Sequence, residues 1–486
     1  MTPAPADLHR IAVEAMRERG LRPAFTAEAL RQAEAARQAQ PEQHGDIRDL
    51  RRTLWFSIDN DDTQDLDQLS VAEALPGGAA RLRVAVADVD ALVKPGSPID
   101  EHAAANTTSV YTAAGVFPML PAALSNDLTS LHEGRERLAV VVDMRVEPDG
   151  TVVDAALYRA SVVNQAKLTY DAVTAWLDGR GAAPKALAAV EGLEAQLRLH
   201  DQIALQLRQR RQSRGALSVK TAQARPVFDA AGRLVDLRPD DKNRAKDLIA
   251  DLMIATNGAT ARYLAQQRFP SLRRLLRAPR RWDRIVALAR SHGAELPAQP
   301  DAVALEGFLR ARHGADPQGF ADLSLAVVKL LGSGEYAAEA GQTNDGGHFG
   351  LAVNDYAHST APNRRYADLV TQRLVKAALA GEAPPYGEPE LADLARRCTL
   401  QEDNASKVER QVLKAAAAVL LHDCIGEAFQ AIVTGASPKG TFVRIEAPRV
   451  EGRVVRGFEP LDVGDALRVR LVAVDAERGH IDFERA

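Results

Sequence analysis

The chain is poor in cysteine: it has only Cys398 and Cys424, far apart and without a metal-ligand spacing, which excludes a disulfide framework and a zinc site. Both are expected to be core residues. It also lacks any run of about eighteen uncharged apolar residues, so no membrane span is expected. The opening stretch MTPAPADLHRIAVEAMRERG has no basic start followed by an apolar centre, so no secretory leader is expected and the location reads as cytoplasmic. There is no excess of positive charge, since the net charge is −4, and no repeat of fixed period. A negative total does not advertise a nucleic-acid binder, yet it leaves local basic patches to be sought.

What is present is enough for a large core. With 486 residues, 46% hydrophobic and 26% charged, the chain reads as globular and long enough for two to four domains. Residues 8–39 predict helix, turn, helix, interrupted at Gly20 and Pro23 and resumed behind a cap at Thr26. Two readings stand for this module: helices packed on the main body, or a nucleic-acid-binding helix-turn-helix. From 53 to 166, runs such as LRVAVADVD and RLAVVVDMRVE alternate with period two and predict a sheet-rich core. Residues 185–265 and 281–425 read as mostly helical, as in DLIADLMIATNGATARYLAQQ. The last sixty or so residues read as five short strands, the pattern of a small OB-type barrel. The expectation is an α+β multidomain chain: a helical module over 1–50, a mixed α+β domain over 51–424 and a barrel over 425–486.

The chemistry concentrates in SIDNDDTQDLDQLS, residues 57–70, where five aspartates fall within the span 59–67 behind the apolar run Leu54-Trp55-Phe56. Crowded carboxylates repel and raise one another's pKa unless a cation offsets them. A calcium-binding EF-hand loop from Asp59 is excluded, because Gln64 and Ser70 stand where it needs glycine and glutamate. A solvated acidic turn is the bland alternative. If LWFSI is a strand, Asp59 sits at its end, and Asp59, Asp65 and Asp67 surround a compact loop suited to magnesium, which takes few carboxylates and leaves room for water and phosphate. Two such ions about 4 Å apart would serve phosphodiester hydrolysis.

At this point the sequence resembles the RNB family of exoribonucleases, the ribonuclease II and ribonuclease R group. Its magnesium motif is an Asp, a five-residue gap, then Asp-x-Asp-Asp, which Asp59, Asp65 and Asp67 match while Gln68 replaces the fourth aspartate. VADVDALVKPGSPIDEHAAANTTSVY and FPMLPAALSNDLTSLHEGRERLAV are similar to the segments that follow it in the family. HFGLAVNDYAHSTAPNRRYADLVTQRL resembles the signature HFTSPIRRYxDLxxHR, and IGEAFQAIVTGASPKGTFVRIE closing with ERGHIDFE resembles an RNA-binding S1 domain.

The resemblance implies a magnesium-dependent enzyme, with manganese as a stand-in, that hydrolyses single-stranded RNA from its 3′ end to nucleoside 5′-monophosphates. It implies that Asp59, Asp65, Asp67 and Gln68 hold the metal, with Asp67 central to turnover, and that Arg364 contacts the scissile phosphate. Tyr170 would stack on the terminal base and Glu409 would lie near the 3′-terminal nucleotide. Arg365, Tyr366 and His358 flank Arg364 as supporting members. Basic stretches at 207–214 and 268–284, the latter containing Arg274, either line an RNA channel or form solvated helix faces. In the barrel, Phe429, Phe442 and Phe458 either stack on bases or fill the core, and Trp282 is the candidate for an outer aromatic clamp. The chain is expected to act as a monomer, with other RNA-decay factors as candidate partners. Two departures stand out. Gln68 carries no charge, which keeps open a rival reading as an RNA-binding protein with a decayed site. About fifty helical residues stand where typical members carry two cold-shock domains.

Overall fold

The computed structural model describes residues 7–38, 46–220, 223–228, 234–240, 242–317, 319–339, 347–437, 440–459, 461 and 464–486. Its first two helices are Leu8–Glu18, capped by Asp7 on the Arg10 N–H, and Ala27–Ala36, capped by Thr26 on the Ala29 N–H. The apolar stripe of the first, Ile11, Ala12, Ala15 and Met16, is buried. Ala12, Ala15 and Met16 pack with Ala405, Val408 and Val412 of the long helix Glu388–Leu420. Ala29 and Ala33 of the second helix join the main core. Of the two readings of this module, the structure shows the packing one for both buried stripes.

The main core is a six-stranded sheet in the order Ile47–Asp49, Val152–Thr169, Trp55–Asp59, Gln68–Ala74, Ala80–Ala87, Glu136–Val146. Val152–Thr169 serves both edges. Its first part pairs antiparallel with Glu136–Val146, and its last part pairs parallel with Trp55–Asp59, setting Thr169 opposite Asp59. Alternate residues along it are buried, which is the period-two pattern a half-buried strand requires. The helices Leu193–Ser213, Arg244–Gln266 and Tyr366–Ala380 contribute buried apolar residues to this same core.

The helical reading of 185–265 needs one correction. Gln223–Phe228 and Leu234–Asp240 form an antiparallel hairpin within it, and Leu237 packs with the C-terminal barrel and the end of the long helix. Helical propensity is a weak prior, and tertiary packing overrides it here. Residues 282–331 carry three helices, Trp282–Ser291, Ala302–Ala315 and Phe320–Leu331, around their own small core.

The C-terminal strands Ala428–Ser437, Gly440–Glu446, Arg449–Arg456, Ala466–Asp475 and His480–Arg485 close into a barrel. Its interior, including Val443, Ile445, Leu471 and Phe483, continues onto Ala417, Ala418 and Leu421 at the end of the long helix. Arg444 also pairs with Asp322 at 2.7 Å, tying the barrel to the three-helix group.

Candidate active site

The strand Trp55–Asp59 is buried up to its last residue, so Asp59 emerges at the edge of the core. Its Oδ1 accepts from the Asn60 N–H at 2.7 Å and from Thr63 Oγ1 at 2.9 Å, which curls the loop back on itself. Lys167 holds that loop down by donating from Nζ to the carbonyls of Asp61 and Thr63 at 3.0 and 2.7 Å. Leu66 is then driven into the core, its N–H donating to Ser130 Oγ at 3.0 Å and its carbonyl accepting from the Leu131 N–H at 3.0 Å. In extended backbone, neighbours of a core-facing residue point the other way, so Asp65 and Asp67 share the opposite side. The Asp67 carbonyl accepts from the Ala87 N–H at 3.0 Å, and Gln68 then starts the next strand.

Opposite them stands the turn preceding the helix Tyr366–Ala380. Fully buried Asp368 organises it, accepting from the Ala361 N–H at 2.8 Å and from two nitrogens of Arg365 at 2.7 Å each. Arg365 is thus spent on structure, while Arg364 projects toward the carboxylates. Arg364 Nε lies 3.1 Å from Asp67 Oδ2, an ion pair without hydrogen-bond alignment, and the arginine side chain is 43% exposed. The Asn363 N–H donates to Asp67 Oδ1 at 3.2 Å, and Asn363 Nδ2 has no partner although the residue is buried. The signature that this segment resembles has isoleucine at that position.

The electrostatics suit the binding of a cation. Burial, with a smaller contribution from Asp65, pushes the Asp67 carboxyl up to about 7 in spite of Arg364. Burial, with a contribution from Asp59, also raises Asp65. Gln68 Oε1 is a buried acceptor with no donor, and such an orphan costs about 1–3 kcal/mol unless something binds it. Among the described residues, no three His, Cys, Asp or Glu side chains converge closely enough to complete a metal site alone. Asp59, Asp65, Asp67 and Gln68 therefore suit a hard cation that keeps water and takes phosphate oxygens as further ligands.

Sequence reading passed over Tyr111, although it ends the NTTSVY segment. Two backbone bonds, Ser109 N–H to the Arg364 carbonyl at 3.0 Å and Tyr366 N–H to the Thr107 carbonyl at 2.8 Å, lace its strand to the arginine turn. The residue is 45% exposed, while its hydroxyl end meets Arg364 and faces Asp65 and Asp67. Burial of that end pushes the phenol up to about 12, so it stays protonated. Glu409 accepts from the Tyr111 N–H at 3.0 Å and so anchors the strand from the long helix. Tyr170 starts the helix Tyr170–Leu177, next to Asp59, with burial and that carboxylate raising its pKa.

Other expected members lie elsewhere. Tyr366 is 3% exposed and contributes to a buried network around Arg373, which also pairs with Asp90 and Asp100. His358 Nδ1 meets the Tyr336 hydroxyl at 2.8 Å, and burial, with nearby arginines, keeps the ring neutral. Arg274 pairs with Glu402 at 2.6 Å and covers the Tyr336 ring, so it is a packed residue rather than an open phosphate contact. Within 207–214, Arg208 pairs with Asp247 and Asp251, Arg210 with Asp149, and Arg211 with Asp251. Trp282 is 4% exposed and donates its indole N–H to the Pro297 carbonyl, so a clamp role is corrected: its bulk fills the three-helix core. In the barrel, Phe429 packs on Phe483 and Phe442 is half-buried, while Phe458 is exposed.

The RNB domain pattern matches residues 47–381, and that of the RNase II-type exonuclease C-terminal S1 domain matches residues 427–486. The chain belongs to the RNB family. This RNB protein is 28% identical over 493 residues to ribonuclease R 1 of Lactococcus lactis, covering 95% of this chain and 59% of that protein. It is 30% identical over 497 residues to ribonuclease R of Thermotoga maritima, covering 94% and 68%. Its fold superimposes on Mycoplasma genitalium RNase R in complex with ribose methylated single-stranded RNA with a TM-score of 0.88 at 21% identity, covering 99% of this chain and 78% of that one. It spans less than two thirds of the Lactococcus relative's length.

Proposed function

We propose that this RNB protein is a divalent-metal-dependent exoribonuclease that hydrolyses single-stranded RNA from the 3′ end and releases nucleoside 5′-monophosphates. The observation that carries the reading is the meeting of Asp65, Asp67 and Arg364 across one cleft, with the buried orphan Gln68 Oε1 beside them. Asp59, Asp65 and Asp67 would hold Mg²⁺, with Gln68 as a neutral oxygen ligand. Once bound, the ion supplies polarisation of the phosphodiester and a water of lowered pKa.

The remaining work falls to the chain's own groups. The exposed part of the Arg364 guanidinium meets a non-bridging phosphate oxygen and offsets charge that grows as the P–O bond breaks. The open Tyr111 ring offers a face to the terminal base, and base stacking of this kind is indifferent to sequence. Glu409 keeps Tyr111 in register. Direction and product are inferred from family membership, since carboxylates alone specify only hydrolysis.

The test is digestion of a 5′-labelled single-stranded RNA, resolved on a sequencing gel. A ladder that shortens in Mg²⁺, stops in EDTA and vanishes in Asp67→Asn supports the reading. Intact RNA that shifts on a native gel in Mg²⁺ would replace it with a binding protein.

A further inference from the structure

Away from the carboxylate cleft lies a cavity of about 1040 Å³. Its walls are the end of the helix Leu193–Ser213, one face of the helix Arg244–Gln266, the turn entering Val152–Thr169 and the segment 347–355. Among the described residues, its lining holds five arginines, Arg210, Arg211, Arg214, Arg262 and Arg277, against two carboxylates, Asp251 and Asp355, with no lysine or glutamate. In a chain of net charge −4, this is a concentrated positive surplus. Gathering like charges in a concave, low-dielectric space is unfavourable unless anions offset them, and it focuses field on whatever anion enters.

Three of the five are answered within the protein. Arg210 pairs with Asp149 at 2.6 Å, Arg211 with Asp251, and Arg277 with Glu335 at 2.5 Å. Arg214 and Arg262 make no side-chain hydrogen bond and no ion pair within 4.0 Å among the described residues. Asp355 attracts Arg262 but lies 3.9 Å from Arg273 as well, so it is shared. The floor is built for close approach. A Cβ on Gly258 would stand 3.3 Å from Arg262 Nη1, and one on Gly347 would collide with the Val353 carbonyl. Ile254, Leu276 and Phe349 add apolar wall suited to a flat ring.

We propose that this cavity binds a phosphorylated small molecule of nucleotide size, with Arg262 and Arg214 on its phosphate and its ring against the apolar wall. Guanidinium forks match phosphate geometry, and the volume suits a ligand of that size, since such sites run to about 300–1,000 Å³. The site is distinct from the carboxylate cleft, since none of Asp59, Asp65, Asp67, Gln68 or Arg364 lines it.

The experiment is calorimetric titration of the full chain, in EDTA and without RNA, with adenosine 5′-monophosphate, adenosine and inorganic phosphate. Adenosine 5′-monophosphate is expected to bind, adenosine not to, and binding to survive Arg364→Ala but weaken about tenfold or more in Arg262→Ala and Arg214→Ala. Arg214 is exposed, so its replacement leaves the fold intact and keeps the test valid if Arg262→Ala misfolds. Binding lost in Arg364→Ala and unchanged in the other two would place the ligand in the cleft and overturn the proposal. No binding at millimolar nucleotide would also overturn it, and inorganic phosphate binding as tightly as the nucleotide would overturn a nucleotide-sized ligand. None of these outcomes depends on RNA hydrolysis.

Discussion

Arg364 Nε stands 3.1 Å from Asp67 Oδ2, yet the two side chains differ sharply in exposure, 43% for the arginine and 2% for the aspartate. The buried carboxylate fixes one side of the guanidinium while the rest stays open to the cleft. Arg364→Lys keeps the positive charge but loses the planar fork. The single-turnover rate on saturating RNA is expected to fall about 10²-fold, with the melting temperature nearly unchanged. A rate within about threefold of wild type would remove Arg364 from the chemistry.

Gln68 offers two readouts from one position. Its Oε1 is a buried acceptor without a donor, so Gln68→Leu is expected to raise stability by about 1 kcal/mol in the absence of metal. The same change is expected to raise the Mg²⁺ concentration for half-maximal activity, while Gln68→Asp lowers it by adding a carboxylate. Chemical denaturation in EDTA and a metal titration check the two halves. Identical metal requirements in all three proteins would mean that Gln68 does not face the ion.

Tyr111 is expected to bind RNA through its ring rather than its hydroxyl. In an Asp67→Asn background, Tyr111→Ala should weaken binding of a labelled oligonucleotide by about 1–3 kcal/mol, and Tyr111→Phe should leave it close to unchanged. Glu409→Ala, which frees the Tyr111 N–H, should give a smaller loss. Fluorescence anisotropy at fixed salt measures all three. Equal losses for Ala and Phe would shift the interaction to the hydroxyl.

His200 makes stability depend on pH. It is fully buried against Phe56, and burial lowers it to about 4 from 6.5, partly opposed by its bond to the Gln196 carbonyl. Between those values the unfolded chain takes up a proton that the folded chain refuses. Its contribution is therefore present above pH 6.5 and is lost as pH falls toward 4, by about 3 kcal/mol in all. His102 and His348 are lowered similarly, also chiefly by burial. Denaturant unfolding across this range should therefore show a gentler slope in His200→Leu, by about one proton, rather than none. An unchanged slope would mean that His200 charges without penalty in the fold.

The period-two runs became the strands of the main sheet and the closed barrel, and Thr26 became the N-cap of the second helix. The carboxylate loop was legible because its logic is local. A buried strand ends at Asp59, and Leu66 can enter the core only by turning Asp65 and Asp67 the other way. The fate of the flanking residues was not legible. Arg364 and Arg365 are adjacent and identical, yet Asp368 takes one for structure and the cleft receives the other. Tyr366 and Trp282 are buried, whereas Tyr111 stands open.

The sequence by itself determined the alternation, the capping and the spacing of the acidic loop, because these depend on neighbours within a few residues along the chain. Only the tertiary structure decided which arginines are neutralised, which aromatics keep an open face, and that the arginines of two helices and two loops share a cavity. Burial and pairing are set by contacts between distant segments, and a residue's type does not reveal which partner the fold will bring to it.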